Sequence, residues 1–154
     1  MDQAKENEFI LVIERVFDAP RERVWKAWTD HELRMKWMSP DGLYVGEDEG
    51  KIQAGGSYEA CMINSAGDEI RYAGEYREIV KPERLVFTHA WKSDIGGAIP
   101  NFETLCTVDL EELSDGKTKM TFTQQGLSSE DSRDNHNGGW SECFDKLLDI
   151  LNTP

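Results

Sequence analysis

No apolar run in this chain approaches the roughly 20 residues that a membrane-spanning helix needs. Its first residues, MDQAKENEF, have neither the basic start nor the apolar centre of a secretory leader. Cysteine is scarce. Cys61, Cys106 and Cys143 are odd in number and lack CxxC spacing, which leaves no basis for a disulfide framework or a structural zinc site. Reduced thiols and a cytoplasmic location are the expectation. Positive charge is also short, with 17 Lys and Arg against 30 Asp and Glu, a formal net charge of −13. No cluster of Lys and Arg offsets it, so neither nucleic acid nor an anionic membrane surface is expected as a partner. The GxGxxG, GxxxxGK[ST] and GxSxG patterns of nucleotide and hydrolase sites are absent. No HxxxH or carboxylate-rich cluster suggests a metal, and no cofactor is expected.

What is present begins at Phe17, in FDAPRERVWKAWTDHELRMKW. Phe9–Phe17 is rich in Ile, Val, Leu and Phe and predicts a buried first strand. Asp18 is the expected cap of a helix with Pro20 in its first turn. Val24, Ala27 and Trp28 recur at helical spacing, Thr29-Asp30 marks a break with a new cap, and Leu33 with Trp37 forms the next apolar face. Three tryptophans (Trp25, Trp28 and Trp37) thus fall within two short helices. Each buries a large ring and carries one N–H in need of a partner.

From Leu43 the apolar period changes to two, as in half-buried strands. Tyr58, Ala60 and Met62 alternate with polar neighbours, and a hairpin turn with Gly67 follows at Asn64–Asp68. Ile70, Tyr72, Gly74 and Tyr76 share the next face; after Lys81-Pro82-Glu83 come Leu85, Phe87, His89 and Trp91. Cys106 and Val108 lie on the sixth strand, Phe122 and Gln124 on the seventh. Trp140, Phe144, Leu147, Leu148 and Leu151 then form a helical stripe, expected to begin near Gly139-Trp140. The glycine pairs at 55–56, 96–97 and 138–139 are expected as turn or helix-start devices. The order is β–α–α–β–β–β–β–β–β–α in one domain over 1–154, with a core of about 9–151. The fold class is α+β: an antiparallel sheet whose apolar face must be covered by the last helix. The space between them is either packed solid or left as a cavity.

Polar tips on an otherwise apolar face orient a ligand in a pocket, or find backbone partners in a core. The expected walls are Trp28, Trp37, Tyr58, Met62, Tyr72, Tyr76, Phe87, His89, Trp91, Cys106, Val108, Phe122, Gln124, Trp140, Phe144 and Leu147. The Ser93–Asn101 and Ser128–Asn137 segments are the expected lids, the second either beginning the last helix or standing as a mobile preface to it. His31 reads as a solvated residue at a helix start. His89 and His136 read either as satisfied polar groups near the core or as ligand contacts and proton carriers. Glu47, Asp48 and Glu49 read as a solvated charge run. Cys61 is expected on the outward face, Cys106 and Cys143 inside.

FDAPRERVWKAWTD, Trp37, GGSYEACM, GEYREIVKPERLVFT and the closing GGWSECFDKLLDIL together resemble the activator-of-heat-shock-chaperone-ATPase homologue-like family. That group lies within the START-like, Bet v 1-type superfamily, and the resemblance runs from about Phe9 to Leu151. It implies a helix-grip fold, a curved antiparallel sheet wrapped around a long C-terminal helix. Many relatives carry a second aromatic after the Trp at 37, where this chain has the more flexible Met38. The superfamily uses its cavity for lipids, hormones, polyketide cyclisation and partner binding, so fold alone does not assign function. The leading expectation is a monomer or weak homodimer that binds a small, largely apolar molecule. The alternatives are a cyclase- or hydrolase-like enzyme using His89 or His136, and a chaperone-associated interaction protein. The additional domain of the eukaryotic chaperone activators is not expected here, so the family's name is not carried over as function.

Overall fold

In the computed structural model, which describes residues 9–92 and 102–152, the nine residues FILVIERVF form β1 (Phe9–Phe17). Pre-proline Ala19 is steered away from helical backbone, so the chain turns there. α1 (Arg21–Thr29) has Pro20 as its cap residue, with no side-chain capping bond. Asp18 is therefore not the cap: it stands two residues too early, and the Pro20 carbonyl accepts from the Arg23 and Val24 amides instead. Asp30 does cap α2 (His31–Trp37), accepting from the Glu32 and Leu33 amides.

β2 (Tyr44–Gly50), β3 (Ser57–Ile63), β4 (Glu69–Val80), β5 (Arg84–Trp91), β6 (Thr104–Glu112) and β7 (Thr118–Leu127) complete the strands. They form one antiparallel sheet in the order β1-β7-β6-β5-β4-β3-β2. Gly74 on β4 has a steric reason to be glycine. A Cβ there would overlap the Thr88 carbonyl and crowd the Tyr58 ring, whose hydroxyl donates to that same carbonyl at 2.7 Å.

α3 (Glu130–Leu151) crosses the concave face and packs on β1, β7, α1 and α2. Ser129 caps it by accepting from the Ser132 amide, and Arg23 reaches from α1 to the Leu151 and Ile150 carbonyls at 2.7 and 3.0 Å. The helix thus starts well before Gly139. Of the two alternatives for the second lid, residues 130–137 begin the last helix, and Gly138-Gly139 is helix interior rather than a start. The expected first lid, Ser93–Asn101, lies outside the described residues.

The core sits between α1, α2, α3 and the concave face of the sheet, with Trp28 at its centre. The Trp28 ring lies 4.7 Å from Trp37 and 6.1–6.3 Å from Phe87, Phe122, Trp140 and Phe144. One more tie was hidden in the sequence. Arg34 of α2, 2 % exposed, donates from Nε to Asp48 Oδ2 at 2.7 Å and from Nη1 to the Trp28 carbonyl at 2.8 Å. Asp48 is thus no part of a solvated run, because its carboxylate is needed inside to balance the guanidinium. His31 is not simply solvated either: its Nδ1 meets the same Oδ2 at 2.8 Å.

Candidate functional site

Where α3 passes the Ser39–Leu43 turn and the β3–β5 end of the sheet, the packing opens into a cleft of about 220 Å³. The end of α2 contributes Met38, the turn Pro40 and Leu43, and the sheet Met62, Tyr72, His89 and Trp91. The helix contributes Asn135, His136, Gly139, Trp140 and Cys143. Two α3 side chains hold the turn in place. Lys146 Nζ donates to the Ser39 and Pro40 carbonyls at 2.7 and 3.2 Å, and Glu142 accepts from the Asp41 amide at 2.9 Å.

Of the residues expected to form walls, Met62, Tyr72, His89, Trp91 and Trp140 meet in this cleft, joined by His136. Trp28, Trp37, Tyr58, Tyr76, Phe87, Cys106, Val108, Phe122, Gln124, Phe144 and Leu147 do not line it; they are buried in the adjoining core. Sheet register explains the division. Tyr76 pairs with Phe87 beneath the tryptophan cluster, whereas Tyr72 pairs with Trp91 further along the same two strands. Pro40, Leu43, Asn135, Gly139 and Cys143 escaped sequence reasoning as wall residues. The helical spacing of 135, 136, 139, 140 and 143 was the available signal, offset by part of a turn from the core stripe.

Most of the polar groups are held by hydrogen bonds. Trp91 Nε1–H donates to His136 Nε2 at 3.0 Å, and His136 Nδ1–H donates to the Ser132 carbonyl at 2.7 Å. Those two bonds fix His136 as one neutral tautomer, and burial lowers its pKa in spite of the Ser132 bond, which acts to raise it. Trp140 Nε1 donates to Gln124, Gln124 to Thr104, and the Thr104 hydroxyl to the His89 carbonyl. The His89 ring stacks on Tyr72 at 4.9 Å and meets Trp91 edge-on at 5.0 Å. Its Nδ1 finds no hydrogen-bond partner in the protein. Burial, with smaller contributions from His136 and Arg34, lowers the His89 pKa to about 3. A base that weak is badly matched to proton transfer near neutral pH. Cys143 is also quiescent, its thiol pushed up to about 12, chiefly by burial. Among the described residues, no group of His, Cys, Asp and Glu is arranged to hold a metal, and no helix is long and apolar enough to cross a membrane.

The neutral His89 makes a pH prediction. Unfolded, it takes up a proton below its ordinary pKa of 6.5; folded, it stays neutral down to about 3. Stability is therefore full above the upper value and falls as pH drops through that window, by up to about 1.4 kcal/mol per pH unit from this group. Urea unfolding between neutral pH and pH about 5, above most carboxylate titration, is expected to show a shallower loss for His89→Phe than for the native chain. Equal slopes would mean that His89 is not neutral and buried.

The chain belongs to the Activator of Hsp90 ATPase homolog 1-like protein family, whose model matches residues 18–152. Solved structures agree on the fold. Protein CV1439 from Chromobacterium violaceum superposes with a TM-score of 0.81 at 25% identity, over 95% of this chain and 99% of that one. A family protein from Silicibacter pomeroyi gives 0.81 at 21% identity, over 94% and 98%. A protein from Arthrobacter aurescens gives 0.76 at 24% identity, over 100% and 91%. No curated protein matches the chain.

Proposed function

We propose that this family member binds a small, largely apolar molecule in the cleft between its sheet and its C-terminal helix. The observation that carries the reading is Gly139. Glycine in a helix interior costs about 1 kcal/mol relative to alanine, and α3 has two in succession. Close packing demands neither. A Cβ on Gly138 would meet nothing within 4 Å, and one on Gly139 only Pro40 Cγ at an ordinary 3.6 Å. What glycine at 139 does is keep the helix wall of the cleft bare. A stable helix forgoing side chains beside an apolar hollow fits a site kept open for a guest. The hollow's volume corresponds to about seven water molecules, which suits a guest of one or two rings.

Enzyme chemistry has less support, because both histidines are neutral and one has each ring nitrogen already engaged. Ligand-observed NMR with 2-naphthamide, a neutral two-ring probe, tests the binding reading. Gly139→Leu is expected to abolish binding while leaving the melting temperature unchanged or higher, since leucine favours helix and fills apolar space. Gly138→Ala is expected to raise stability and leave binding intact. Undiminished binding in a folded Gly139→Leu protein would place the guest elsewhere.

A further inference from the structure

The cleft's walls carry a second message, about charge, which rests on the binding reading above. Among the described residues, none of Lys, Arg, Asp or Glu lines it. The nearby cations are committed elsewhere: Lys146 to the Ser39 and Pro40 carbonyls, Arg34 to Asp48 and the Trp28 carbonyl. His136 has both ring nitrogens engaged, by Trp91 and by the Ser132 carbonyl. Its protonation would set two N–H groups against each other across the Trp91 contact. A carboxylate entering here would shed its water and meet no countercharge, a costly exchange in an apolar site. The net charge of −13 adds a longer-range repulsion.

Cations fare no better, although aromatic walls in an acidic protein are the usual makings of an ammonium cage. A cage needs ring faces turned toward the guest. Here the Tyr72 face is stacked on His89, and Trp140 is stacked on Phe144 at 5.6 Å. Trp91 meets both Tyr72 and His89 edge to face. Nor, among the described residues, does any carboxylate line the hollow to balance an ammonium. What the walls do offer is apolar surface, with the thioethers of Met38 and Met62 to settle against an aromatic guest.

We infer that the cleft selects uncharged aromatic molecules and rejects carboxylates and ammonium ions of the same shape. The test uses three naphthalenes substituted at one position: 2-naphthamide, 2-naphthoate and 2-naphthylmethylammonium. Their affinities are measured by calorimetry near neutral pH, at physiological and at high salt. The amide is expected to bind at least about tenfold tighter than either ion. That preference should persist at high salt, because it arises from desolvation rather than from the screened field of the whole protein. Asn135→Lys places an amine on an exposed position of the cleft rim, and is expected to improve naphthoate binding by about tenfold without helping the ammonium probe.

Equal or tighter binding of either ion, abolished by Gly139→Leu, would overturn the charge selection and leave the cleft as the site. A preference for the amide that vanishes at high salt would overturn it too, by assigning the effect to net charge. Failure of all three probes to bind a folded protein would remove the binding reading and this inference together.

Discussion

Trp28→Ala is expected to lower the stability of this protein by about 3–5 kcal/mol, at the upper end of what single core truncations cost. The ring is fully buried and touches Trp37, Phe87, Phe122, Trp140 and Phe144, which come from two helices and two strands. Five other aromatic rings would have to close over the space it leaves, and interiors this dense relax only in part. Trp28→Phe is a sharper probe. The indole N–H has no partner, so the native residue already bears the penalty of a buried, unsatisfied donor. Phenylalanine removes that donor along with some volume, and the net loss is expected to stay within about 1.5 kcal/mol. Urea denaturation gives both values. A phenylalanine variant as damaged as the alanine one would show that the indole nitrogen is bonded after all.

Asp48→Ala is expected to cost a similar amount, about 3–5 kcal/mol, for an electrostatic reason. It strands the guanidinium of Arg34, which is buried, cannot shed its proton, and keeps only the Trp28 carbonyl as a named partner. The pair itself is not the source of that figure. One carboxylate oxygen, Oδ1, is buried without a partner, so the bridge is imperfectly satisfied as it stands. Arg34→Met combined with Asp48→Ala should therefore recover much of the stability lost in the single variant. A double variant as unstable as the sum of its parts would mean that the two side chains contribute independently.

The strands were legible because one face of the sheet is buried and period two is a strong signal. The Tyr58, Tyr72, Tyr76, Phe87 and Phe122 positions all turned out buried. Alternation, however, says which face a side chain takes, not how far along the strand the covering helix reaches. Tyr72 and Tyr76 look alike in sequence, yet one lines the cleft and the other closes the core. Arg34 and Asp48 were illegible for a different reason. Each sits among charged neighbours, in HELRMKW and GEDEG, and their pairing joins segments with no periodic relation. Gly138-Gly139 misled because glycine is costly inside a helix, so the pair read as a turn or a helix start.

The neighbour of β1 in the sheet is β7, so Phe9 must wait for Leu127 and Phe17 for Thr118. At ribosomal speeds of about 5–20 residues per second, the first strand spends on the order of ten seconds without its partner. The wall that completes the cleft comes later still, on α3. No guest can therefore template the early stages of folding during synthesis, since the hollow does not exist until α3 has been made. A bound molecule would act only on the finished protein, adding to its stability by mass action and prolonging its lifetime rather than hastening its birth.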